Sequence, residues 1–111
     1  VEEDTTSQPF FIVEQMPELP GGEAALRKYL AASIKYPVIA TENGIQGKVF
    51  VNFVVEANGS ISNVKVTRGV DSSLDKEAVR VVKSMPKWIP GKQGGQAVRV
   101  SFTVPINFVL Q

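Results

Sequence analysis

The chain has 111 residues, 43% of them apolar, and a formal net charge of +1. That length suits one domain able to bury about two-thirds of its unfolded surface. Cysteine and histidine are both absent, which removes disulfide staples, thiolate chemistry, the commonest general base and the commonest neutral metal ligand.

No apolar run approaches the ~18 residues of a membrane span, and no signal peptide is visible. A start at Val1 without methionine leads us to expect a piece of a longer protein. The small net charge hides an asymmetry. Residues 1–23 carry six acids (Glu2, Glu3, Asp4, Glu14, Glu18, Glu23) and no base, whereas residues 24–111 carry twelve bases against five acids. The plain reading is an acidic linker end, residues 1–19, followed by a mildly basic domain, residues 20–111.

Val1 to Gln8 is expected to be a frayed leader. Phe10-Phe11-Ile12-Val13 is a short strand-like run, closed by the prolines and glycines of Met16 to Gly22. It would add a strand to the sheet, to a neighbouring copy, or to the edge of the last strand described below. Residues 23–35 are rich in alanine and place Leu26, Tyr29, Leu30, Ser33 and Ile34 on one helical face. Pro37 ends that helix, because the residue before a proline is pushed out of the helical region. Thr41 to Gly47 reads as a loop, with Asn43-Gly44 as a turn signal.

Lys48 to Glu56 and Ser60 to Arg68 flank Asn58-Gly59, a two-residue hairpin signal. Such a turn pairs Val55 with Ser62, Phe53 with Val64 and Val51 with Val66 on one largely apolar face. Val54–Asn63, Asn52–Lys65 and Phe50–Thr67 then form a mixed face, and a one-residue slip would undo the separation. Asp71, Ser72 or Ser73 caps a second helix, residues 72–85, with acids in its first turns and Arg80 and Lys83 in its last. Leu74, Ala78, Val81, Val82 and Met85 make its apolar stripe, and Pro86 stops it. Trp88, between two prolines, reads as a core or rim plug, and Lys92 to Gln96 as a connecting loop.

Val98 to Leu110 alternates apolar and polar residues with period two, the mark of a strand with one buried face. Pro105 interrupts its donors, so the strand belongs at a sheet edge. A right-handed crossover through the second helix lays it antiparallel beside Lys48–Glu56. The expected fold is α+β, a two-layer sandwich. It has an antiparallel sheet of about three strands (hairpin 48–56/60–68 plus edge strand 98–110) with two helices (23–35, 72–85) on one face. An open edge strand is a surface on which another extended chain can pair.

Chemical alternatives are poorer. Asp71, Asp75 and Glu77 could imitate a metal cluster, but capping and dipole complementarity explain them. Ser84 beside Lys83 and Lys87 lacks any oxyanion-hole motif, so no catalytic residue is assigned. Arg68, Arg80, Lys83 and Lys87 read as a solvated basic face. Phe50, Asn52 and Val54 on the sheet are not a set of base-stacking aromatics, which argues against nucleic acid.

Tyr36-Pro37, Gly44-Ile45-Gln46-Gly47-Lys48-Val49, the Asn58-Gly59 hairpin, Leu74-Asp75-Lys76-Glu77-Ala78, Trp88 and Pro90-Gly91-Lys92 occur here in order. This ordered set, across residues 20–110, resembles the C-terminal domain of TonB energy transducers. The resemblance implies a periplasmic domain, held to the inner membrane by an N-terminal helix upstream and powered through ExbB and ExbD. It implies binding to the TonB box of outer-membrane transporters by strand addition, with proton-motive-force-derived pull opening them to siderophores, cobalamin or glycans. On this sequence the partner-binding positions would be Tyr36, Pro37, Arg99, Val100, Ser101, Phe102, Thr103, Val104 and Asn107. Pro105 lacks a donor, so the strongest pairing is expected from Arg99 to Val104. The glutamine-rich residues that precede tyrosine-proline in the family are replaced by Ser33-Ile34-Lys35, and no contact is carried over for them. No cofactor is implied, and a homodimer stays open. So does a second reading, a similar peptide-binding module appended to a sensor or protease.

Overall fold

The computed structural model describes residues 8–111. The expected leader, apart from Gln8, lies outside the described residues. The first helix, α1, runs Gly22–Ser33 and follows Gly21, whose φ of 97° turns the chain into the helix without a side-chain cap. It ends two residues earlier than expected, because Ile34 is already extended. Pro37 does more than stop it. With φ −62° and ψ 136° it is the N-cap of a short helix, α2, Val38–Glu42. The loop expected from Thr41 is therefore partly helical: a proline that cannot continue one helix is pre-set to begin the next.

Strands β1 (Gly47–Val55) and β2 (Ile61–Arg68) form the expected antiparallel hairpin. Helix α3, Ser72–Lys83, follows, with Asp71 as its N-cap accepting from the Ser73 N–H at 3.0 Å. The last strand of the sheet, β5, covers Val100–Phe108, shorter than expected. It lies antiparallel to β1 in unbroken register from Gly47↔Phe108 to Val55↔Val100. The order β2-β1-β5 puts the first hairpin strand in the centre, as the crossover argument requires.

The hairpin differs near its tip. Glu56 and Ser60 close a three-residue loop through a 2.8 Å bond, and pairing starts at Val55↔Ile61 and Val54↔Ser62, one residue off the expected register. The pairing then steps to Asn52↔Lys65 and Val51↔Val66, the expected partners. Asn63, with φ 51°, sits in the step as the extra residue of a bulge. It reverses the parity of β2, so Ile61, Val64 and Val66 all pack on the core. A slip that would have exposed one apolar set is absorbed by one residue.

The core lies between this sheet and the helices. Val49, Val51, Phe53 and Val55 of β1 are fully buried, opposite Val104, Ile106 and Phe108 of β5. Leu26 and Leu30 of α1 and Leu74, Ala78, Val81 and Val82 of α3 cover them. Trp88 is 4% exposed and stands edge-on to Phe53 and Phe102, with ring centroids 5.4 and 5.3 Å away. It is a core plug.

Two segments differ from what the sequence predicts. Residues 91–98, expected as a loop running into a strand, make a second hairpin, β3 (Gly91–Gln93) and β4 (Gln96–Val98). Gly94 and Gly95 turn it with φ 60° and 80°. Phe10–Val13 is no continuous strand: Phe11 and Ile12 are 72% and 84% exposed. The segment is tied down at separate points instead, where Phe10 bridges Val100 in parallel and Gln15 and Glu18 bridge Lys92 and Ile89 antiparallel. Between and beyond the ties, Val13 and Leu19 are buried, and Leu19 joins the core cluster.

Candidate functional site

A three-stranded sheet has two outer edges, and here they differ. That of β2 is broken by two register shifts and carries exposed Asn63, Lys65, Thr67 and Arg68. Bulges and charges of this kind discourage pairing. The β5 edge has nine residues and no shift against β1. It is the edge fit to accept another strand.

Its polarity follows from one observed rung. The Phe10 N–H donates to the Arg99 carbonyl at 2.9 Å, and the Ser101 N–H donates to the Phe10 carbonyl at 2.7 Å. Ser101 therefore points its backbone groups away from β1. Successive residues of a pleated strand alternate sides. The N–H groups of Thr103 and Asn107 and the carbonyls of Ser101, Thr103, Pro105 and Asn107 thus share the outer side. Pro105 falls in the outward phase, so its missing donor costs β5 no bond to β1, and it still pairs with Phe50. Among the described residues, Phe10 is the only backbone partner on this edge.

The side chains expected to meet a partner are mostly turned elsewhere. Val100 and Val104 are buried, and Phe102 packs on the core. Asn52 of β1 donates across the back of the sheet to the Ser101 hydroxyl at 2.9 Å and the Thr103 hydroxyl at 3.0 Å. The Arg99 Nε donates to Glu56 at 2.7 Å, with the two side chains 23% and 26% exposed. Burial works against ionisation of Glu56, but the bonds from Arg99 and Ser62 outweigh it and hold its pKa below the ordinary range. What β5 offers at its open edge is backbone, with Asn107 and Pro105 exposed beside it.

Tyr36 and Pro37 do not join this stretch. The Tyr36 hydroxyl donates to the Ile45 carbonyl at 2.5 Å, and its ring stands edge-on to Phe108, 5.6 Å away at the far end of β5 from Arg99. Pro37 starts α2 beside it. The acids weighed as a metal cluster have separate duties. Asp71 caps α3, Asp75 accepts from the Val70 N–H, and Glu77 accepts from the Lys35 N–H and pairs with Arg80. The Ser84 hydroxyl lies 2.7 Å from the Tyr29 hydroxyl and donates to the Val81 carbonyl, not to a lysine. Sequence reasoning missed Asn52 and Glu56 as the groups that fix the polar side chains of β5. The Asn52–Thr103 rung follows from the strand register alone, so it could have been found; the Glu56–Arg99 pair lies just beyond the ends of both strands.

The family model described as Gram-negative bacterial TonB protein C-terminal matches residues 32–110. The chain belongs to that family. The match opens at the end of α1 and takes in every strand. Among curated TonB relatives, Protein TonB of Haemophilus influenzae is 36% identical over 91 residues, 78% of this chain and 34% of the relative. Protein tonB2 of Pseudomonas aeruginosa is 35% identical over 77 residues, 68% of this chain and 28% of the relative. The chain thus spans about a third of the length of these TonB proteins. The NMR solution structure of the Helicobacter pylori TonB-CTD matches with a TM-score of 0.59 at 25% identity, covering 78% of this chain and 90% of that one. The α+β fold expected from the sequence is that of the TonB C-terminal domain.

Proposed function

We propose that this TonB C-terminal domain is the periplasmic, transporter-gripping end of an energy transducer anchored in the inner membrane. It binds the TonB box of outer-membrane transporters as a strand added to the outer edge of β5. It transmits pull derived from the proton-motive force, supplied through ExbB and ExbD by a region upstream, for import of siderophores, cobalamin or glycans. Its role is binding and force transmission, not catalysis. Curated relatives named TonB support the transducer over a module appended to a sensor or protease.

One observation carries the reading: β5 presents nine residues in unbroken register, with the N–H groups of Thr103 and Asn107 facing outward and untaken among the described residues. Backbone pairing supplies affinity without demanding particular side chains, so one domain can serve several transporters. A single added strand buries less than about 1,200 Å², which suits a transient grip. The usable stretch runs from Ser101 to Asn107, downstream of the Arg99 to Val104 expected at first, because Phe10 already holds the Arg99 carbonyl and the Ser101 N–H. Tyr36 and Pro37 would touch a partner only beyond Phe108, at the downstream end of this stretch.

Thr103→Pro tests the reading. The substitution deletes an outward donor in the same phase as Pro105, which the strand already tolerates, so the fold should persist. Binding of a TonB-box peptide should fall below detection by calorimetry, while circular dichroism stays as in the parent. Undiminished binding by a folded variant would sink strand addition at β5.

A further inference from the structure

A groove of about 410 Å³ runs along the helix side of the open β5 edge. Leu19, Leu26, Trp88 and Phe102 give it an apolar lining, Glu18 and Glu23 also line it, and no lysine or arginine does. Both glutamates are exposed, and Glu23 pairs with Arg27, itself exposed, at 3.5 Å. The groove follows Phe102 to Pro105, the stretch where outward backbone groups are open.

Pleating decides which side chains of an added strand enter it. Residues opposite Phe102 and Val104 turn toward the helices, and the one between them turns to the back of the sheet beside Asn52 and Thr103. That alternation holds for parallel and antiparallel addition alike. The chain contains its own example one rung upstream. Phe10 lies opposite Val100 and is half-buried, while its neighbours Pro9 and Phe11 line a hollow on the back face with Val54 and Ser101.

We propose that this groove reads sequence in the added strand: it takes two apolar side chains at alternate positions, i and i+2, and favours a basic residue next to them. The inference rests on β5 being the docking edge and deepens that reading, turning a backbone grip into one with a side-chain preference. The apolar lining is matched by burial of the two side chains, and the carboxylates of Glu18 and Glu23 by a nearby positive charge.

Trp88 is the only tryptophan and lines the groove, so its fluorescence reports occupancy. The probes are blocked synthetic decapeptides of identical composition, with serine and threonine as background, two leucines and one lysine. In one isomer the leucines are alternate; in the other they are adjacent, so that only one can enter the groove. The alternate isomer should bind the 111-residue chain about tenfold tighter or more and shift Trp88 emission, since one more leucine is buried. Replacing its lysine by glutamate should weaken binding several-fold, with the gap closing in high salt. It should also close in the Glu18→Gln, Glu23→Gln double variant.

Equal affinity of the two isomers would overturn the proposal. So would an unmoved Trp88, or no preference between lysine and glutamate. Slowed exchange of the Thr103 N–H on peptide binding separates the two readings. If it is slowed while the isomers bind equally, the edge stands and the groove does not. If no peptide slows it, the docking edge itself fails.

Discussion

Glu56 shows how one side chain can serve both a turn and a strand. It closes the β1–β2 loop through its backbone, accepts from Ser62 of β2, and holds Arg99 at the entrance to β5. Its pKa is held below the ordinary carboxylate range, so the folded state binds its proton less readily than the unfolded chain does. The stability this contributes is fully present above the ordinary range and is lost as pH falls through the lowered folded value. Glu77 behaves alike, lowered chiefly by its bond from Arg80. Glu56→Gln should therefore lower Tm at neutral pH but flatten its decline as pH falls through and below the ordinary carboxylate range. A parallel acid decline in parent and variant would mean that the Arg99 pair contributes nothing in solution.

At the scale of elements, the first hairpin teaches most. Asn58-Gly59 correctly announces a turn, and the alternation of β1 correctly announces a strand. What escapes reading is the loop length, because Gly59 is required for two reasons at once. Its φ is 88°, and a Cβ there would lie 2.2 Å from the carbonyl oxygen of Trp88. The Trp88 N–H also donates to the Gly59 carbonyl at 2.8 Å. Sequence pattern sees the first demand; the second belongs to a residue 29 positions away and appears only on folding. Gly59→Ala should cost at least about 2 kcal/mol, from backbone strain and displacement of the tryptophan segment. Chemical denaturation measures it, and a loss under about 0.5 kcal/mol would contradict the close approach.

The same contrast explains the rest of what was legible. Long periodic stretches (Leu74 to Val82, Val100 to Phe108) and the crossover rule suffice for strand order, layers and the edge position of β5. Short elements resist: α2 has five residues, and β3 and β4 have three each, too few for a period to show. For the site, the sequence places the edge but not its phase. Which amides face outward depends on the register with β1, and Phe10, from a segment read only as strand-like, reveals it.

For the whole molecule, the segment before α1 both completes the fold and covers part of the proposed docking edge. Removing residues 1–12 takes away Phe10 but keeps Val13 and Leu19, which are buried. The Phe10 bonds to the Arg99 carbonyl and the Ser101 N–H are then lost. Affinity for a TonB-box peptide should rise about fivefold, a modest share of what two further backbone bonds to the peptide could add. Titration calorimetry measures the change, and unchanged affinity would show that the Phe10 rung does not compete.

That rung also has a mechanical side. The segment is fastened at Phe10, Gln15 and Glu18 by one pair of backbone bonds each, and the Glu14 N–H also donates to the Gln93 side chain at 3.0 Å. It cannot peel smoothly like a ladder; it lets go in steps. A load applied upstream reaches Phe10 before the other fastenings. Its release pays out the chain as far as Glu14, roughly 14 Å at full extension. The domain carries its own length of slack: a first, soft response to tension that bares the proposed docking edge before any load reaches β5.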